Sequence, residues 1–348
     1  MEIIRKPYLA EKIVIVDGLP GCGKTMLSPI IAALDRVEKL SYCYELELTC
    51  HLNYLKKMEP DAAVTLIRIL MDLKLYNLMM AREVNFRPSD LSSVFHDAQP
   101  LRYIKRAFQK GDEAVPDRIK KEKPILHLAT HRILNISEPI FSALENRIFF
   151  VEVVRHPLYM VKQQILNMER IMFNPRHFTL YFDYKGSQLP YFTHGWEELF
   201  MNSNNTEKAI YEIEKLTEAT DLARKKIMEK YNGQILTIPF EKFVVNPWPY
   251  MEQIEAMLGT KITATTRRMM KRQNVPRKMY AEGIGLKIYK RCGWEPPKSS
   301  NEKHEFEMRR QFVADKASAE AMHALDRICA DYEEKYMDGR KKTGEHYE

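Results

Sequence analysis

The octapeptide Gly18-Leu-Pro-Gly-Cys-Gly-Lys-Thr25 carries three glycines and ends in a Lys-Thr pair, which satisfies the pattern GxxxxGK[ST]. Glycines let a backbone curl until successive N–H groups point inward, and the lysine adds a mobile cation, so the segment reads as a cradle for a phosphate chain. Lys24 and the amides of Gly21, Cys22, Gly23, Thr25 and Met26 are its candidate anion-binding groups. Two further residues follow apolar runs that read as strands: His131 after Ile125–Ala129 and Arg155 after Ile148–Val154. The carboxyl ends of strands are where open α/β sheets bind ligands. Histidine titrates near neutrality, as a general base must, and arginine is a planar multi-donor partner for phosphate. A kinase or nucleoside triphosphatase wants an acid at the end of a neighbouring strand to help hold Mg²⁺. Here those ends carry His131 and Arg155, and the nearby acids are Asp17, before the loop, and Glu152, inside a run.

The elements that must hold these groups alternate in type. Ile13–Val16 is a β-branched run suited to a strand buried on both faces. Met26–Leu34 has helical apolar spacing, so the loop sits between strand and helix, where a helix N-terminus favours an anion. Tyr42–Leu48 alternates and predicts a second strand, Ala62–Arg82 predicts a helix, and Ile125–Ala129, Ile148–Val154 and Ile235–Ile238 predict strands. The expected fold is a three-layer P-loop α/β domain: a central, mostly parallel sheet flanked by helices. Residues 173–205 form an insertion rich in Tyr, Phe, His, Asn, Gly and Pro, which serves either a ligand or the cover of a sheet edge. Residues 301–336 carry an apolar stripe spaced for one or two amphipathic helices, and the closing GRKKTGEHYE is polar. No repeat or composition break divides residues 1–348, which are expected to form a single elaborated domain.

The chain has 348 residues, 45% hydrophobic and 29% charged, which excludes wholesale disorder and low-complexity scaffolds. No apolar run reaches the roughly 18–20 residues a membrane span requires, and the amino terminus reads as neither signal peptide nor anchor. Five cysteines without CxxC or Cys/His spacing disfavour a disulfide framework and a zinc site, so a cytoplasmic location is expected. The net charge is +7, and the stretch from Arg267 to Arg291 holds nine basic residues against one acid, Glu282. That stretch suits an anionic ligand or a solvated helix face. No RNP, zinc or helix-turn-helix signature accompanies it, so nucleic acid is not the expected partner.

With these strand ends in view, the chain resembles the sulfotransferases that use 3′-phosphoadenosine 5′-phosphosulfate (PAPS). GLPGCGKT is similar to that family's phosphosulfate loop, and RIFFVEVVRHPLYMVKQQI to its 3′-phosphate motif. LHLATHRI resembles the strand end that carries the catalytic base in cytosolic members, and IPFEKFVVNPWPYMEQIEAMLG a downstream family segment. Gly21 stands where the family has Lys or Arg, Lys24 at a usual Thr, Ala129 at a usual Lys, and Gln163 at a Ser that binds the 3′-phosphate. The resemblance implies sulfuryl transfer from PAPS to a hydroxyl or amine by in-line displacement, with no metal required. Lys24 and the loop amides would take the 5′-phosphate, Arg155 and Gln163 the 3′-phosphate, with either Arg277 and Lys278 of PRKMYAEGIG or the segment KRCGW at 290–294 in place of the family's basic C-terminal loop. His131 would be the base, with Glu45 or Glu47, near the second strand, as the rival that other branches suggest. The acceptor would be a small molecule or glycan-like, met by the rings Tyr181, Phe182, Tyr184, Tyr191, Phe192 and Trp196 with His194. An ATP- and Mg²⁺-dependent small-molecule kinase is the alternative that Lys24-Thr25 keeps open.

Overall fold

The computed structural model describes residues 1–174, 177–231, 234–279, 287–295 and 301–337. In chain order these form β1 (Lys12–Asp17), α1 (Lys24–Ala32), β2 (Ser41–Tyr42), α2 (Tyr44–Tyr54), α3 (Pro60–Met79), α4 (Pro100–Ala107), α5 (Ala114–Glu122), β3 (Ile125–Ala129), α6 (Glu138–Leu144), β4 (Ile148–Val154) and α7 (Pro157–Phe173). They continue through β5 (Tyr181–Tyr184), β6 (Ser187–Pro190), α8 (Glu197–Asn202), α9 (Asn205–Tyr231), β7 (Ile235–Pro239), α10 (Phe240–Val245), α11 (Trp248–Leu258), α12 (Ala264–Arg272), α13 (Glu302–Ala314) and α14 (Ala319–Tyr336). The fold is an α/β sheet of five strands in the order β2-β3-β1-β4-β7, every pair parallel.

β1 lies in the middle because both its faces are covered. Val14 and Val16 face the core shared with α1, α7 and α10–α12, while Ile13 and Ile15 face the one shared with α2, α3, α6 and α9. All four are fully buried, as a β-branched run without polar alternation requires. The register sets Asp17 beside Glu152, and Val16 beside Ala129 and Val151, so the carboxyl ends of β1, β3 and β4 meet at one edge of the sheet.

The predicted second strand is a correction. Only Ser41–Tyr42 pairs with β3, and the chain then turns at Cys43 into α2. Glu and Leu, which dominate 45–48, are strong helix formers, and Glu45 and Glu47 in the first turn complement the helix dipole. The alternation also satisfies a helical stripe: Leu46, Glu47 and Cys50 are all buried on one side. The insertion holds the β5–β6 hairpin and α8, and 301–336 resolves into α13 and α14, both packed on α7. Among the described residues no helix is long and apolar enough to cross a membrane.

Candidate functional site

The loop from Gly18 to Gly23 is built by positive φ. Gly18, Gly21 and Gly23 adopt φ of +145°, +91° and +108°, a region costly for other residues. Gly18 also needs its bare Cα, since a Cβ there would sit 2.3 Å from the Val153 carbonyl oxygen. Cys22 N–H donates to the Leu19 carbonyl and Met26 N–H to Gly23, so two of the six expected amides are already used inside the loop. Lys24 N–H is turned to the Cys22 sulfur, while Gly21, Gly23 and Thr25 N–H have no acceptor among the described residues. These three, with the exposed Thr25 hydroxyl, are the groups open to an anion. The buried Lys24 ammonium donates to the Gly18 carbonyl, closing the loop on itself.

Asp17 shapes the neighbouring strand end. Its Oδ1 accepts from Thr130 Oγ1 at 2.9 Å, and its Oδ2 from the amides of Ile133 and Leu134 at 3.0 and 3.1 Å. Thr130 N–H donates to the Val16 carbonyl and Arg132 N–H to that of Gly18, so His131 stands between two residues tied to the base of the glycine loop. Arg132 is anchored in turn by an ion pair with the fully buried Glu212.

The base candidates, weighed as rivals on the sequence, belong together. His131 Nδ1 lies 3.1 Å from Glu47 Oε1. A carboxylate only accepts, so Nδ1 carries the proton and Nε2 keeps its lone pair in the neutral ring. Glu47 is nearly buried and His131 is 37% exposed, so the pair has a protected end and an open end. Glu45 does not share this contact: it is exposed and accepts from the Cys43 thiol. The rings of Tyr42 and Tyr44 lie 5.7 and 6.4 Å from the His131 ring, within 14° of parallel, and Phe178 meets Tyr44 edge-on.

Arg155 leaves the end of β4 and reaches the loop, where Nη1 donates to the Gly21 carbonyl at 3.0 Å. Its guanidinium lies 4.2 Å from the Phe240 ring centre and 4.9 Å from that of Tyr159. Arg277 stacks on the same Phe240 ring at 5.3 Å, so the structure brings the two arginines to one place, while Lys278 is exposed. Gln163 faces Gly21, but its amide is engaged: Tyr289 O–H donates to Oε1 at 2.9 Å and Nε2 donates to Asn167. A partly open cavity of about 150 Å³ adjoins Gly18, Leu19 and Arg155 and is lined also by Arg132, Tyr332 and Tyr336. The remaining acid, Glu152, accepts from Arg224 through both oxygens and from Thr237.

The aromatic insertion divides differently from expectation. Tyr191 and Phe192 are core residues, Tyr191 stacking on the buried His51 at 3.7 Å. Trp196 donates to the Phe192 carbonyl, Tyr181 to that of Ile171, and Tyr184 to Glu198. Phe182 and Tyr54 meet His194 edge-on at 5.8 Å. The exposed rings nearest His131 are Tyr44 and Phe178, which sequence reasoning did not name. Their signal was the Tyr42-x-Tyr44 pair just ahead of Glu47, hidden by the strand reading. Of the basic stretch, Glu282 lies outside the described residues.

No family model matches the sequence, and no curated protein sequence matches it. Among solved structures, the chain is similar to a sulfotransferase from Mycobacterium avium (14% identity, TM-score 0.46, covering 95% of this chain and 78% of that one). It is also similar to the sulfotransferase domain of the Synechococcus olefin synthase (12% identity, TM-score 0.44, covering 95% and 98%). A third is the sulfotransferase domain from the curacin biosynthetic pathway (13% identity, TM-score 0.41, covering 74% and 77%).

Proposed function

We propose that this chain transfers a sulfuryl group from PAPS to a hydroxyl or amine acceptor. The observation that carries the reading is the chemistry left at the sheet edge. Both acids nearest the loop, Asp17 and Glu152, have every oxygen engaged by protein donors. The side chain offered beside the loop is instead an imidazole backed by Glu47. A base next to an anion cradle suits an acceptor that must lose a proton as it attacks.

In this reading the 5′-phosphosulfate lies on the amides of Gly21, Gly23 and Thr25. Lys24 exchanges the Gly18 carbonyl for the oxygen that bridges sulfur and phosphorus. Arg155, held by the Gly21 carbonyl, faces the 3′-phosphate, with Arg277 beside it. The acceptor oxygen or nitrogen attacks sulfur from the side opposite the bridging oxygen and passes its proton to His131 Nε2. The new bond to sulfur forms as the old sulfur–oxygen bond breaks, and the electron pair stays on the 5′-phosphate, where Lys24 and the loop amides stabilise it. Glu47 holds the ring in the tautomer that can accept and stabilises the imidazolium that forms. Tyr44 and Phe178 offer flat faces to a sugar or aromatic acceptor.

Calorimetric titration tests the donor class. Adenosine 3′,5′-bisphosphate in EDTA should bind tightly, and ATP with Mg²⁺ weakly. The reverse order would return the loop to the kinase reading that Lys24-Thr25 suggests.

A further inference from the structure

One residue back from Gln163, about 100° around α7, lies a cation that the proposed reaction does not use. The Lys162 ammonium sits 4.7 Å from the ring centre of Tyr289 and 5.1 Å from that of Trp294. The Arg309 guanidinium of α13 shares Trp294 at 4.8 Å and lies 4.2 Å from Tyr159, the ring that also carries Arg155. Two shared rings therefore gather three cations on one side of α7.

Their donors are only partly used. Arg309 has a side chain 8% exposed, gives Nε and Nη2 to Glu305 Oε1, and keeps Nη1 buried with no acceptor among the described residues. Arg155 Nε is buried and has no hydrogen bond among the described residues, Glu241 being 3.9 Å away. The Lys162 ammonium makes no hydrogen bond or ion pair among the described residues. Burial above all, then Arg309 and Arg155, push the Lys162 pKa down to about 6, against the pull of Glu305. Aromatic faces soften such crowding without supplying an acceptor. Buried donors left unpaired are unfavourable, and a group of them converging from separate elements calls for an anion.

We propose that Lys162, Arg309 and Arg155 form a binding site for a phosphate-class dianion, distinct from the glycine loop. The dianion is either the 3′-phosphate of the donor nucleotide or a separate phosphate or sulfate group. The first source rests on the donor proposed above, and the second does not. Lys162 then takes over the contact that Gln163, occupied by Tyr289 and Asn167, does not offer.

Calorimetry on the full chain distinguishes these. Wild type and Lys162→Met are titrated with adenosine 5′-monophosphate, with adenosine 3′,5′-bisphosphate, and with inorganic phosphate in the presence of the monophosphate. Methionine keeps the stem against Tyr289 and Trp294 and removes the charge, so Tm should hold or rise while dianion affinity falls at least tenfold and monophosphate affinity moves less than twofold. A loss confined to the bisphosphate identifies the 3′-phosphate, and a loss for inorganic phosphate identifies a separate group. Arg309→Lys, which leaves a cation for Glu305 and withdraws Nη1, should weaken the same ligand. Bisphosphate and inorganic phosphate binding unchanged in both variants overturns the site, even if the bisphosphate binds tightly. Lys162-dependent binding of inorganic phosphate with no binding of bisphosphate refutes the donor and leaves the site standing.

Discussion

Replacing Arg132 by Met should cost the protein much of its stability, and replacing Glu212 by Leu as well should restore most of it. The Glu212 side chain is fully buried and that of Arg132 is 7% exposed. The second oxygen of Glu212 already lacks a hydrogen-bond partner among the described residues, and burial raises the carboxyl pKa against the opposing pull of Arg132. Without the arginine, a charge is stranded in the core. Breaking one side of a buried pair costs about 3–5 kcal/mol, whereas exchanging both sides for apolar groups is often neutral. At about 2.1 cal/mol/K per residue, a chain of 348 residues shifts by about 1.4 °C per kcal/mol. Arg132→Met should therefore lower Tm by about 4–7 °C by differential scanning calorimetry, and Glu212→Leu by a similar amount through the unpaired arginine. The double variant should lie within about 2 °C of wild type, a little over 1 kcal/mol on the same conversion. Because Ile133 and Leu134 amides bind Asp17 on the same turn, their hydrogen exchange should accelerate in Arg132→Met and recover in the double. Losses that simply add in the double variant would refute the argument, since independent contacts, not a coupled pair, would then hold the turn.

Arg155→Ala should weaken adenosine 3′,5′-bisphosphate by roughly 10–100-fold, the worth of a charge-assisted hydrogen bond, and the 5′-monophosphate by less than about threefold; equal weakening in calorimetry would sink the 3′-phosphate assignment. Glu47→Gln should reduce kcat about tenfold with the donor KM unchanged, because only the imidazolium formed during transfer loses its carboxylate, and an unaltered kcat would leave Glu47 as packing. Gly23→Ala should both lower Tm and abolish nucleotide binding, since the new Cβ would stand 2.3 Å from the Phe240 ring at a φ of +108°; normal binding would mean the loop can move away at little cost. Burial pushes the His51 pKa down to about 3, and neither ring nitrogen has a hydrogen-bond partner among the described residues. The unfolded state therefore binds more protons between about pH 6.5 and pH 3, and stability falls as pH drops through that window. His51→Phe keeps the stack on Tyr191 and should flatten the loss of Tm between pH 7 and pH 4.5; an unchanged slope would assign acid sensitivity to other groups.

How much of this was legible in the sequence depended on whether a signal was local. The glycine loop and β1, β3, β4 and β7 could be read because each is a contiguous run with its own turn chemistry. Arg155 and His131 could be placed at strand ends for the same reason. The contact of Glu47 with His131 was hidden, because Glu-Leu alternation fits both periods and only the packing of Leu46 and Cys50 against α3 decides for a helix. Tyr191 and Phe192 looked like ligand-facing rings because composition cannot tell a buried aromatic from an open one. Lys162, Trp294 and Arg309 come together only through the docking of α13 and the 287–295 segment on α7, a relation no window of sequence contains.

That docking also sets an order of assembly during synthesis. The glycine loop, Glu47 and His131 all leave the ribosome before β7 exists, and β1 and β3, which precede the loop and His131, can pair early. Arg309 emerges far later. So does Tyr332, which donates to Glu241 from α14, and Glu333, which receives the His156 ring beside Arg155. A nascent chain can thus hold its glycine loop and His131 while the turn around Arg155 still lacks its final neighbours. Nucleotide capture should mature only once α13 and α14 have been made, which spares the growing chain from closing around a ligand before these helices have packed.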